Sequence, residues 1–185
     1  MKRFILGLIF GVLIIPVGAY FYFSTGSAPV ATSAPPLPFE KRLAHMALDA
    51  RIKKEAPATP ALPVNDANLL AGVPIYLQHC AVCHGLPEQQ PTAIAKGMFP
   101  KPPQLFHGKG VTDDPATETY WKAANGIRLT GMPGFKGSLS DNELWQVSLL
   151  LATADKLPAA VQSALSGSGA TAKEATPAAK SGHKK

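Results

Sequence analysis

Both cysteines of the chain fall in one pentapeptide, Cys80-Ala81-Val82-Cys83-His84. Two thiols three positions apart can add to the two vinyl groups of a single haem, and the adjacent imidazole is then held against the iron as its proximal ligand. Three other chemistries use the same residue types. A dithiol redox motif sits where a strand feeds a helix in a βαβ setting, whereas here a helical pattern precedes the motif and no parallel-sheet pattern follows. A zinc site could recruit His79, Cys80, Cys83 and His84 or His107, although His79 and His84 flank the cysteines too closely to wrap one tetrahedral ion comfortably. A disulfide across so short a loop would restrain little of the chain.

The elements that must position this pentapeptide lie in the middle of a 185-residue chain. Its length suits one folded domain with appendages. Residues 1–65 hold seven Lys/Arg against three Asp/Glu, and residues 155–185 hold five against two. Between 66 and 154 there are six against seven, a net of −1, so the flanks carry the basicity of the formal +6. The central part has no aromatic-interleaved basic stripe, and no nucleic-acid partner is expected.

After Met1-Lys2-Arg3, an uncharged run extends from Phe4 to Phe23. As a helix it would span about 30 Å, the hydrocarbon thickness of a bilayer. Tyr20, Phe21, Tyr22 and Phe23 crowd its far end like an interfacial aromatic belt, and positive charge only at its start predicts the N-terminus inside and the rest outside. A cleaved signal peptide would have a shorter apolar core ending at a small-x-small site. Residues 1–23 are therefore expected to be a retained single-pass anchor in the inner (cytoplasmic) membrane, or an uncleaved signal, with the remainder on the periplasmic, extracytoplasmic side.

Residues 24–65 read as a Pro/Ala-rich linker, with a possible short helix near Phe39–Glu55. As a coil, a stretch of that length reaches about 32–39 Å. Residues 155–185, rich in Ala, Ser, Gly and Lys, are expected to be a disordered tail.

Residues 66–154 remain to fold as the domain, and three helices stand out. The first starts at the Asn65-Asp66 cap and runs through Leu69, Leu70, Val73, Tyr76 and Leu77, with Pro74 predicted to kink it. The second starts at Asp113/Asp114, takes Pro115 in its first turn and stops at Asn125-Gly126. The third opens on the capping-box pattern Ser140-Asp141-Asn142-Glu143 and repeats Leu144, Val147, Leu150 and Leu151 at helical spacing. No strand alternation appears, so the fold class is all-α.

A helix, then Cys80-Ala81-Val82-Cys83-His84-Gly85, a proline-rich loop, Gly131-Met132-Pro133 and a capped last helix together resemble a class I cytochrome c of the bacterial monohaem kind. The resemblance covers about half the chain. It implies a small all-α domain of three or more helices wrapped round one covalently attached haem c. In that family a methionine on a loop well after the histidine supplies the second axial sulfur, and Met132, 48 residues past His84, stands in the matching setting. Met46 lies in the linker, Met98 is only 14 residues past His84, and His107 would give bis-histidine ligation from a turn-like loop. Gly72 and Tyr76 match the family's small residue and aromatic at the crossing of first and last helices, with Val147 and Leu150 as partners. Pro103 matches the proline whose carbonyl accepts the proximal histidine's second N–H, and Trp121 and Arg128 are candidates for a haem propionate.

His/Met ligation closes both axial positions, so the resemblance implies a one-electron carrier and not an enzyme. The expected partners are electron donor and acceptor proteins, such as respiratory complexes or dehydrogenases, together with the membrane. Two alternatives stay open: the cytochrome subunit of a membrane-bound dehydrogenase or oxidase, and an open-iron haem sensor or peroxidase.

Overall fold

The computed structural model describes residues 2–106 and 114–174, and among these every regular element is a helix. The chain divides into two compact units, Met1–Ala44 and His45–Lys185.

The first unit holds α1 (Lys2–Ser24), which contains Pro16 and an 18-residue apolar window, Gly7–Ser24, long and apolar enough to cross a membrane. No side chain in that window is buried; Phe10 and Ile15 are 69% and 75% exposed, as lipid-facing residues would be. The Thr25 hydroxyl and its backbone N–H both donate to the Phe21 carbonyl (2.7 and 3.0 Å), and Gly26 ends the helix at φ 73°. A second helix, α2 (Glu40–Glu55), begins in this unit. It has Glu40 in its first turn and Lys53 and Lys54 in its last, the charge order its dipole favours.

The second unit is built on α3 (Asp66–His79). Asn65 caps it by accepting the Asn68 N–H at 2.9 Å, while the Asn68 side chain donates to the Pro63 carbonyl. Pro74 does not end the helix. It sits on an exposed face, where the Leu70 carbonyl it leaves without a partner can bond water. Two one-turn helices follow, α4 (Ala81–His84) and α5 (Ala93–Gly97). Then come α6 (Ala116–Asn125), capped at Pro115, and α7 (Asp141–Ala152), closed by the full Ser140/Glu143 capping box. Pro115 thus occupies the cap, one position before the first turn; Asp113 lies outside the described residues.

The core is the crossing of α3 and α7. A Cβ on Gly72 would stand 2.6 Å from the Gln146 carbonyl oxygen and 3.2 Å from Leu150 Cβ, so only glycine allows these two backbones to meet here. Val73, Tyr76, Val147, Leu149 and Leu150 fill the space beside it. From the other side α6 lays Tyr120 flat on the buried Trp145, with centroids 4.1 Å apart, and the Tyr120 hydroxyl donates to Asp141.

Two parts of the appendages are structured. In place of an unstructured tail from 155, the chain forms α8 (Ala159–Glu174), which packs on α3 through the fully buried Val161 and Leu165. The physical reason is the four-residue spacing of Val161 and Leu165, which puts two branched side chains on one stripe of an alanine-rich, helix-favouring stretch, with Leu157 buried just ahead of the helix. In the linker, Ile52 of α2 is buried, and Glu55 accepts the Trp121 indole N–H at 3.2 Å while pairing with Arg51 at 2.7 Å. A Leu165→Ala variant is accordingly expected to lose about 2–5 kcal/mol, the range for truncating a buried leucine. Urea denaturation checks this, and a structureless tail would show no loss.

Candidate haem site

The site begins where α3 ends. Cys80 N–H donates to the Tyr76 carbonyl at 2.9 Å, and the Cys80 carbonyl then accepts both the Cys83 and His84 N–H groups (3.1 and 2.9 Å). The pentapeptide is thereby wound into a single helical turn. Positions three and four apart share a face of such a turn, so Cys80, Cys83 and His84 present two thiols and an imidazole on one side. Both cysteines are free thiols and half-buried. Burial, with the neighbouring Cys83 adding to it, pushes the Cys80 thiol up to about 12, which favours its protonated form.

Gly85 closes the turn at φ 76°. Its carbonyl accepts the buried Tyr76 hydroxyl at 2.5 Å, and burial raises the pKa of that hydroxyl, keeping it a donor. Tyr76 meets Phe106 edge-on at 4.9 Å, which fixes the other side of its ring.

His84 Nδ1 lies 2.8 Å from the Pro103 carbonyl oxygen. A carbonyl can only accept, so Nδ1 carries the proton and Nε2 keeps its lone pair. Burial lowers the imidazole's pKa and outweighs the opposing carbonyl contact, which favours the neutral, metal-binding form. Next to Pro103, the Gln104 side chain covers the face of Gly85, and its Oε1 is buried with no partner among the described residues.

Met132 belongs to a loop stitched to the end of α6. Ile127 N–H donates to the Met132 carbonyl (3.2 Å), and Met132 N–H donates to the Thr130 hydroxyl (3.1 Å), which in turn donates to the Ile127 carbonyl (2.7 Å). Gly126, at φ 69°, and Gly134 let the loop's two ends touch: a Cβ on Gly126 would lie 2.5 Å from Gly134 N. Phe135 and Lys136 N–H groups then satisfy two carbonyls in the last turn of α6, those of Ala123 and Ala124. Met132 is half-buried.

Side-chain contacts link these pieces in a ring. His79, one residue before Cys80, packs edge-on to Phe135 with centroids 5.6 Å apart. The Thr92 hydroxyl donates to the Val82 carbonyl at 2.6 Å, Met98 packs on Gly131, and Pro103 returns to His84. The turn carrying Cys80, Cys83 and His84 and the loop carrying Met132 are therefore joined at two places. Among the described residues no three His, Cys, Asp or Glu side chains gather as a metal cluster. Two thiols and a neutral imidazole on one turn, facing no cluster of further donors, fit a porphyrin bound through thioethers better than a bare ion.

Trp121 donates to Glu55, Arg128 is exposed, and His107 lies outside the described residues. Gly126, Thr130 and Gly134, which shape the methionine loop, carry no chemical signature in the sequence beyond the glycine punctuation around Gly131-Met132-Pro133.

His79 also bears on α7, because its charge and the Ser140 contacts act on Glu143. The Ser140 hydroxyl and backbone N–H donate to Glu143 at 2.6 and 2.8 Å and, with His79 adding, hold its carboxyl below the usual range. A carboxyl depressed in the folded state stabilises the fold above its unfolded pKa of about 4.3 and loses that contribution as pH falls through the folded value. Glu143→Gln should therefore shrink the difference in urea midpoint between about pH 7 and about pH 3; an unchanged difference would remove Glu143 from acid sensitivity.

Residues 67–149 match the family model described as cytochrome c oxidase, cbb3-type, subunit III. This segment is a cytochrome c domain, and with it comes a covalently bound c-type haem and its iron. The domain's role is electron transfer through that haem. A chain of the reducing HAO-like protein complex of Kuenenia stuttgartiensis is 27% identical, with a TM-score of 0.44 over 54% of this chain, and the match spans 50% of that chain's length. No curated protein matches.

Proposed function

We propose that the protein is a membrane-tethered one-electron carrier in which Cys80 and Cys83 hold the haem c covalently, while His84 and Met132 take the two axial positions. A bound haem supplies one-electron iron chemistry. The protein's residues do the rest. Cys80 and Cys83 fix the macrocycle to the end of α3. Pro103 locks the His84 ring with Nε2 unprotonated, which raises its basicity as a ligand. The Met132 thioether, a soft donor, favours the ferrous state and lifts the potential above that of a bis-histidine site. With His84 and Met132 both bound to the iron, no open position would remain for oxygen or substrate, and the chain would pass electrons without itself catalysing a reaction. The observation that carries this reading is the His84 Nδ1 to Pro103 carbonyl contact, which prepares the imidazole as a ligand.

The apolar helix α1 supports single-pass anchoring in the inner membrane, with the haem domain on the periplasmic side because the only charges beside the span, Lys2 and Arg3, precede it. Anchoring raises the haem's effective concentration near donors and acceptors in the same membrane. The description of the matching family, an oxidase subunit, favours a second reading, in which the chain is the cytochrome subunit of a membrane-bound oxidase or dehydrogenase.

Redox titration of the detergent-solubilised protein, followed by exposure of the reduced form to carbon monoxide, tests the carrier. One electron per chain and no rapid carbon monoxide uptake are expected; rapid uptake would overturn the closed-iron assignment in favour of a sensor or peroxidase. Co-purification of a stable multi-subunit complex in mild detergent would select the subunit reading over the free carrier.

A further inference from the structure

Met98 caps the end of α5 and is half-buried. Its terminal methyl fills the volume that a Cβ on Gly131 would occupy, and its sulfur stands 3.6 Å from that position. Gly131 directly precedes Met132. The bonds described above for this stretch, through Ile127 and Thr130, all run within the loop itself. Met98 reaches it from a different segment, one that begins at the Thr92 bond to Val82 and ends at the Pro103 contact with His84. A flexible thioether is suited to fill such an irregular gap, and the missing side chain of Gly131 is what leaves the gap open.

We propose that Met98 is a positioning residue for Met132: its side chain, seated on Gly131, clamps the loop so that the Met132 sulfur is held toward the haem. This rests on the reading of Met132 as an axial ligand. The contact is one of volume, so a side chain of similar size should replace Met98 and a small one should not.

The test uses the ferric holoprotein and imidazole as a competing ligand, with the far-red iron–methionine absorption band as second readout. If the clamp restrains the loop, Met98→Ala should raise imidazole's apparent affinity about tenfold by populating the released loop, with the band weakened. Met98→Leu, which conserves volume, should stay within about threefold of wild type. Gly131→Ala pushes the Met98 methyl aside and should act in the same direction. The Met98→Ala/Gly131→Ala double variant should then fall short of the product of the two single effects. Circular dichroism identifies any variant that fails to fold.

Wild-type affinity and band in Met98→Ala, alongside loss of the band in Met132→Ala, would overturn the clamp and leave Met132 as ligand. Retention of the band in Met132→Ala, with loss in both Met98→Ala and Met98→Leu, would make Met98 the ligand and overturn both readings.

Discussion

Replacing Cys80 and Cys83 together by serine is expected to abolish covalent haem attachment. The two thiols share one face of the turn that follows α3 and are held there by the Cys80 carbonyl, which accepts two backbone N–H groups. A thiol adds to a vinyl group to form a stable thioether; a serine hydroxyl does not. The double variant should show no haem staining on a denaturing gel and no haem mass on the polypeptide, and acidified acetone should extract any haem that remains associated. Each single variant should keep one thioether. The consequence extends to stability, because a covalent haem would fasten to the turn after α3 the segments that the His79–Phe135, Met98–Gly131 and Pro103–His84 contacts already join. The double variant should therefore unfold at lower urea than the parent. Covalent haem surviving in the double variant would refute the attachment.

The second large effect is at the helix crossing. Gly72→Leu would drive a side chain into the Gln146 carbonyl, where even a Cβ stands 2.6 Å from the oxygen and 2.9 Å from the carbon. Both atoms are backbone in the middle of α7 and cannot swing aside, so the helices must part and the contacts among Val73, Tyr76, Val147 and Leu150 must loosen. The expected loss is about 3 kcal/mol or more, at or above the upper end for overpacking a core. That is a large share of the ~5–15 kcal/mol a domain of this size has. Gly97→Ala is the control: nothing lies within 4 Å of its Cβ position, so its midpoint in urea should not fall. Parental stability in Gly72→Leu would mean that α3 and α7 do not cross at this residue.

Features governed by neighbours in the chain were readable from the sequence. Asn65 before Asp66 and Ser140 three residues before Glu143 are caps formed by side chains bonding backbone within one turn, and both helices start where those residues predict. The Cys80–His84 spacing was readable because one helical turn is enough to gather its three functional groups. What escaped depends on partners far along the chain. The bond from Trp121 to Glu55, 66 residues earlier, has no local signal in the sequence. The methionine loop depends on Gly126 and Gly134 meeting backbone to backbone, and on Thr130 both donating and accepting, none of which alters hydrophobic periodicity. In the C-terminal segment, three branched residues four apart were outweighed by the surrounding alanine, serine and glycine. Yet Val161 and Leu165 are what α8 buries on α3, and Leu157 is buried just ahead of them.

The central claim is that His84 and Met132 together close the haem iron. The most direct measurement is the absorption spectrum of the ferric holoprotein in the far red, for wild type and for Met132→Ala. The account predicts a weak iron–methionine band in wild type that disappears in the variant, with the variant's reduced form then taking up carbon monoxide. A wild-type spectrum without that band, or a variant that keeps it, would contradict the account.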